Sequence, residues 1–184
     1  MENNQDKKIF FIPGWMKSLK YYNQESGLDV WLDSKEFDRK LESGILVGHS
    51  LGTNVALNKY SAGIEKIILV NPVITKKNFV GVLWAWIKFK FDEENSSDKN
   101  VPLIKMLTTL PVVSRLAKKN YEEIISKIPK ENIIVLRGKN DNYLCDQSCA
   151  DFFKKFQINV LEIEEAGHNW SDVFDQEVKR IINS

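Results

Sequence analysis

Gly48-His49-Ser50-Leu51-Gly52 sets a serine between two glycines, directly after the apolar run Ile45-Leu46-Val47 and directly before the helical stretch Thr53–Leu57. A serine on a sharp strand-to-helix turn projects its Oγ clear of a sheet, and small neighbours let strand and helix approach one another. The start of the helix adds backbone N–H groups and partial positive charge beside the reacting oxygen. The bland alternative is a glycine-rich turn with a capping serine, but strand, motif and helix occur here in the order that nucleophilic chemistry needs. A serine hydroxyl reacts poorly until a base takes its proton, and imidazole suits neutral pH. The chain has two histidines. His49 adjoins Ser50, so its side chain should point away from the serine's and serve packing or hydrogen bonding. His168, in Ala166-Gly167-His168-Asn169-Trp170 after the last apolar run, is the expected base.

A base of this kind needs a carboxylate to orient the imidazole and to stabilise its protonated form. Gly138-Lys139-Asn140-Asp141 follows the apolar run Ile133–Leu136 and Arg137, which makes Asp141 the expected acid. Its competitors are a plain turn role for Asp141 and, as the acid, Asp146, which is well placed to cap the helix after it. Negative charge on a reacting carbonyl also needs two backbone donors. The N–H of Leu51 is one; the other is expected from Pro13-Gly14-Trp15-Met16, with Trp15 preferred and Met16 as the fallback.

Elements that can hold these residues are legible as short apolar runs ending in turn residues. The runs are Lys8–Ile12, Leu28–Leu32, Ile45–Val47, Ile67–Val70, Ile133–Leu136 and Val160–Ile163. Runs without strict alternation suit strands covered on both faces, as in a parallel sheet. Helices are expected between them, from Ser34 through Leu41, over Thr53–Tyr60 and Asp146–Phe156, and over Trp170–Ile182 at the close. Six strands alternating with helices predict an α/β domain. Loops at the carboxyl ends of its strands would then carry the chemistry.

The rhythm breaks between Pro72 and Pro129, where no strand is predicted. Phe79–Phe91 is apolar almost all round, Asp92–Asn100 reads as a polar loop, and Pro102–Lys119 and Tyr121–Ile128 return to helical patterns. A helical insertion over about residues 73–128 accounts for this better than a long structureless connection. Trp84 and Trp86 in its first helix are expected to wall a pocket for an apolar group. Lys76, Lys77, Lys88 and Lys90 could face an acidic partner, or simply water.

The 184 residues fit one domain, and 43% hydrophobic with 28% charged residues is ordinary globular composition. A formal charge of +1 gives no basic excess for nucleic acid. Neither a signal-peptide pattern in Met1–Lys8 nor an apolar run of about 20 residues is visible, which predicts a cytoplasmic protein without stable membrane insertion. Cys145 and Cys149, four apart, could form a redox pair or half a metal site. With two histidines and no third cysteine, two reduced thiols are expected, and no metal or cofactor.

Taken together these residues resemble the α/β-hydrolase superfamily, nearly end to end. Phe10–Trp15 is similar to its strand and oxyanion loop, Gly48–Gly52 to its nucleophile elbow, and Ile67–Pro72 to the strand after it. Gly138-x-x-Asp141 is similar to its acid loop and Gly167-His168 to its histidine loop. Pro13 stands where the family usually has histidine, and the chain begins where the family's third strand normally falls. In size and in that truncation it is similar to small bacterial and retinoblastoma-binding serine hydrolases, while the insertion is closer to the cap of larger esterases. The resemblance implies a mainly parallel sheet with helices on both faces and serine attack on a small-molecule ester or thioester through an acyl-enzyme. An acyl chain presented by an acyl carrier protein, and a non-catalytic binding protein that keeps the fold, are the alternatives.

Overall fold

The structure, a computed structural model, describes residues 8–75, 79–92 and 101–184. Five apolar runs become strands: β1 (Ile9–Ile12), β2 (Gly44–His49), β3 (Ile64–Val70), β4 (Ile133–Gly138) and β5 (Val160–Ile163). They pair in the order β1-β2-β3-β4-β5, and every pairing is parallel. All five therefore end on one edge, and every loop that could carry chemistry emerges there.

The central strands are buried on both faces. Leu46, Ile67, Leu69 and Val135 face one layer of the core, and Ile45, Val47, Ile68, Val70 and Leu136 the other. Each such side chain contributes roughly 1.5–3 kcal/mol relative to exposure. The first layer is closed by α1 (Leu51–Asn58), through Val55, Ala56 and Leu57, and by α5 (Gln147–Lys154), through Cys149 and Phe153. The second is closed by α6 (Asp172–Ile182), whose Phe174, Val178 and Ile181 recur on one helical face. Helices thus cover both faces, as expected.

Between β3 and β4 the chain builds α2 (Phe79–Asp92), α3 (Leu103–Ala117) and α4 (Tyr121–Ser126). α2 packs on α3, and both α3 and α4 pack on α1. Val82, Ala85 and Phe89 of α2 join the same core layer as α1, so this helix is seated on the domain. Asp92, expected in the loop, closes α2, and the rest of that loop, 93–100, lies outside the described residues, as do 1–7, Lys76 and Lys77.

Two expectations fail near the N-terminus. Leu28–Leu32 is not a sixth strand. Gly27 makes a single parallel bridge to Phe11, with Leu28 N–H donating to Phe11 O at 2.8 Å, and the chain then turns. The turn closes through Leu32 and Asp33 N–H groups on Asp29 O, and it brings Trp31 Nε1 to Pro13 O at 2.7 Å. Leu28, Val30 and Trp31 are buried by that turn, which is why the run reads as apolar as a strand. The helix expected from Ser34 to Leu41 is only a 3-10 turn, Ser34–Phe37, and its cap is Asp33, whose carboxylate accepts from Lys35 N–H.

Candidate active site

Ser50 follows β2 directly, Asp141 follows β4, and His168 lies in the loop after β5. Parallel strands deliver all three to one edge. Ser50 holds φ 52 and ψ −127, a conformation that a non-glycine residue rarely adopts, and its N–H is tied to Val70 O at 2.9 Å. Close packing accompanies that turn. A Cβ on Gly52 would lie 2.2 Å from Ile12 O and 2.5 Å from Pro13 O, so the elbow helix passes β1 only because position 52 has no side chain.

His168 Nε2 stands 2.8 Å from Ser50 Oγ, and its Nδ1 is hydrogen-bonded to Asp141 Oδ2. Asp141 is fully buried, yet both its oxygens are engaged. Tyr143 and Leu144 N–H donate to Oδ1 at 3.3 and 3.0 Å, and Cys145 N–H donates to Oδ2 at 3.0 Å. Burial pushes this carboxyl upward, but charge on His168, its hydrogen bond and the N–H groups of Leu144 and Cys145 outweigh burial and hold it down at about 2. Asp146 accepts instead from Ser148 N–H at 3.1 Å, as the N-cap of α5. The three residues read as nucleophile, base and acid therefore meet in one hydrogen-bonded line, and the competitor caps a helix.

The loop after β1 lies against this line. A Cβ on Gly14 would come within 3.1 Å of Ser50 Cβ. Lys17 N–H donates to Gly14 O at 3.0 Å, closing a turn with Trp15 at its first corner and Met16 at φ 69. Leu51 is the first residue of α1, where a helix leaves its N–H groups without intrahelical partners. Gly14 and Leu51 are thus the backbone positions beside Ser50, and Trp15 is the next residue along the turn.

Of the two insertion tryptophans, Trp86 packs its ring 5.3 Å from that of Trp15, whose Nε1 donates to Thr109 Oγ1 of α3 at 3.0 Å. Trp84 is 60% exposed, with Lys88 Nζ 5.4 Å from its ring centre, on the solvent side of α2. The ring that meets the site is Phe89, edge-on to His168 at 5.1 Å, which nothing in the sequence singled out. Asn71, which directly follows the run Ile67–Val70, is a second such residue. It is buried at φ 47, its amide donates to Gly167 O and His168 O at 2.8 and 3.0 Å, and its oxygen accepts from Gly138 N–H at 2.7 Å. Asn71 therefore ties the histidine loop to the acid strand. An asparagine at a strand end beside the elbow was the available signal.

A surface cavity of about 550 Å³ opens elsewhere, lined by residues that include Tyr121, Ser148 and Phe152, and no residue of the hydrogen-bonded line borders it. Cys145 and Cys149 are buried free thiols, and burial pushes the Cys145 thiol up. Among the described residues no group of three or more His, Cys, Asp or Glu could hold a metal ion, and no helix is long and apolar enough to cross a membrane.

No family model matches the chain, and no curated protein matches it. Solved structures do. An α/β-hydrolase enzyme from a sediment metagenome of the Mar Chica lagoon, Morocco, is 18% identical, with a TM-score of 0.56 over 95% of this chain and 90% of that one. An esterase from Pyrococcus furiosus is 15% identical, with a TM-score of 0.60 over 98% and 81%. An esterase from Exiguobacterium antarcticum is 14% identical, with a TM-score of 0.58 over 95% and 90%. Identities this low speak for architecture alone, and the architecture of this chain is the α/β-hydrolase fold.

Proposed function

We propose that the protein is a serine hydrolase that cleaves a carboxylic ester or thioester with an apolar acyl group. The observation that carries the reading is the line Ser50 Oγ to His168 Nε2, 2.8 Å, continued from Nδ1 to the buried Asp141. With Nδ1–H donating to a carboxylate, Nε2 keeps its lone pair and faces the serine hydroxyl. In the proposed reaction His168 takes the Oγ proton as Oγ attacks the acyl carbonyl. The tetrahedral oxyanion is met by the N–H groups of Leu51 and Trp15. Collapse breaks the bond to the alcohol or thiol, which leaves with the proton from His168, and Ser50 holds the acyl group. Water, deprotonated by His168, then releases the acid and restores the hydroxyl. Asp141 stabilises the imidazolium in both halves. Phe89 beside His168 and the Trp15–Trp86 pair favour an apolar acyl chain over a sugar or a phosphate. Esterases among the solved structures of this fold are consistent with the class of reaction.

The test is covalent labelling. Wild type and Ser50→Ala are treated with a fluorophosphonate and their intact masses measured. Wild type should gain one adduct and the alanine variant none, and equal labelling of both would remove Ser50 as nucleophile.

A further inference from the structure

His49, the second histidine, stands in the elbow but points away from Ser50 chemistry, and it is only 4% exposed. Its Nε2 lies 2.8 Å from the carbonyl oxygen of His168, and its Nδ1 lies 2.7 Å from Tyr22 Oη. Tyr22 Oη in turn accepts from Gly14 N–H at 3.0 Å. Hydrogen-bonding capacity determines every proton in this chain. A carbonyl only accepts, so Nε2 carries the hydrogen. A neutral ring then has a lone pair on Nδ1, so the tyrosine hydroxyl donates to it, and the tyrosine oxygen is left free to accept from Gly14. For a neutral ring, the form that burial favours, no other assignment satisfies all three contacts.

From this geometry we infer that Tyr22 and His49 are positioning residues that lock the Gly14–Trp15 oxyanion loop to the backbone of the histidine loop, in register with Ser50. The inference rests on the ester-cleavage reading for what the loop does, but the relay itself is a structural claim. Three observations support it. The two loops come from opposite sides of Ser50 in sequence, and the relay is a hydrogen-bonded path between them. Gly14 is packed so closely that a Cβ there would lie 3.0 Å from His49 Nδ1 and 3.2 Å from Tyr22 Oη. Tyr22 holds the Pro13–Gly14 peptide through Gly14 N–H, and Lys17 N–H holds the next peptide through Gly14 O, so Tyr22 anchors the residue from which the peptide bearing Trp15 N–H departs. Tyr22, His168 and Trp170 wall the His49 ring, at centroid distances of 5.5, 5.4 and 5.7 Å. Asp141 and Lys17 are the further charged groups that act on it. Burial, and then charge on His168, hold its imidazole down at about 3, so the neutral acceptor form that the relay needs persists through neutral pH.

Two measurements decide the matter. The first is the ring spectrum of wild type labelled with ¹⁵N-histidine, which requires no activity. His49 should show the Nε2–H tautomer and no titration between pH 8 and about 5, and Tyr22→Phe should shift its Nδ1 signal. A Nδ1–H tautomer, or titration near the ordinary histidine value, overturns the relay. The second is kinetic, on a short aryl ester. Tyr22→Phe should lower kcat about 10- to 100-fold with KM little changed, since small displacements of a catalytic group cost on that scale. His49→Gln, which keeps an N–H for the His168 carbonyl, should retain more turnover than His49→Phe. An unchanged kcat in a folded Tyr22→Phe, with the tautomer as expected, reduces the relay to structural support and overturns the positioning role. If wild type neither reacts with a fluorophosphonate nor turns over esters, the ester-cleavage reading fails and takes the positioning role with it, while the spectrum still decides the relay.

Discussion

At the scale of single residues, Asp141 is held by four donors: His168 and the N–H groups of Tyr143, Leu144 and Cys145. Such a carboxylate cannot rotate without stranding a buried N–H, which costs about 1–3 kcal/mol per group. It fixes Nδ1 of His168 as the protonated nitrogen and leaves Nε2 for Ser50. Asp141→Asn offers an amide that either donates against Nδ1–H or accepts through one oxygen only, and the useful tautomer loses its support. Turnover of an aryl ester should fall by about 10⁴-fold. Asp146 separates the alternatives, because its carboxylate serves α5. Asp146→Asn keeps a capping oxygen and should retain near wild-type kcat and stability, whereas Asp146→Ala should lose about 1 kcal/mol in urea unfolding with kcat preserved. A crippled but folded Asp146→Asn would move the acid to the wrong side of the loop.

At the scale of elements, α2 is anchored by Val82, Ala85 and Phe89 in the core layer, while Trp84, on the other side of the helix, is 60% exposed. On the proposed reading, a seated helix with Phe89 on His168 and Trp86 on Trp15 would present these two rings, rather than the exposed Trp84, to an acyl chain. Catalytic efficiency should rise by roughly 0.8 kcal/mol of transition-state binding per added methylene until the chain meets the wall. Trp86→Ala should extend that limit, and Trp84→Ala should leave the profile of aryl esters from acetyl to decanoyl where it was. A profile that is flat in all three proteins would detach α2 from the substrate. This face of α2 also marks where sequence reasoning runs out. Phe79–Phe91 is apolar almost all round, so its periodicity cannot say which ring turns inward, and the tryptophans attract notice by size alone. Leu28–Leu32 misleads for a related reason: burial in a turn under Trp31 demands the same apolar residues as burial in a strand. Ser50, Asp141 and His168 are legible because each follows a strand run by a short loop, and parallel strands bring such loops together. The Asn71 and Tyr22 contacts are not legible, since they end on backbone groups of Gly14, Gly138, Gly167 and His168, whose orientation no residue type announces.

At the scale of the whole molecule, the same buried network makes folding sensitive to acid. His49 is held at about 3 by burial and by charge on His168, against an ordinary value of 6.5. Below pH 6.5 the unfolded chain therefore takes up a proton that the folded chain refuses. The unfolded state binds more protons, so stability that is complete above 6.5 is lost as pH falls towards 3. Asp141 adds a second loss with the same sign. It remains ionised down to about 2 when folded and protonates near 3.8 when unfolded, so its contribution is present above 3.8 and disappears between there and 2. Other carboxylates contribute as well, and comparison with one variant isolates the histidine. His49→Gln keeps an N–H for the His168 carbonyl but carries no titrating ring. Above pH 6.5 it should be less stable than wild type, because Tyr22 loses its acceptor. From pH 6.5 towards 4.5 the gap should narrow by up to about 1.4 kcal/mol per pH unit, the weight of one proton. Urea unfolding of both proteins at pH 8, 6.5, 5.5 and 4.5 measures that gap. Curves that stay parallel across this range would mean that His49 titrates alike in the folded and unfolded chains. The imidazole would then be reachable by water, and the closed Tyr22–His49–His168 path would not exist in solution.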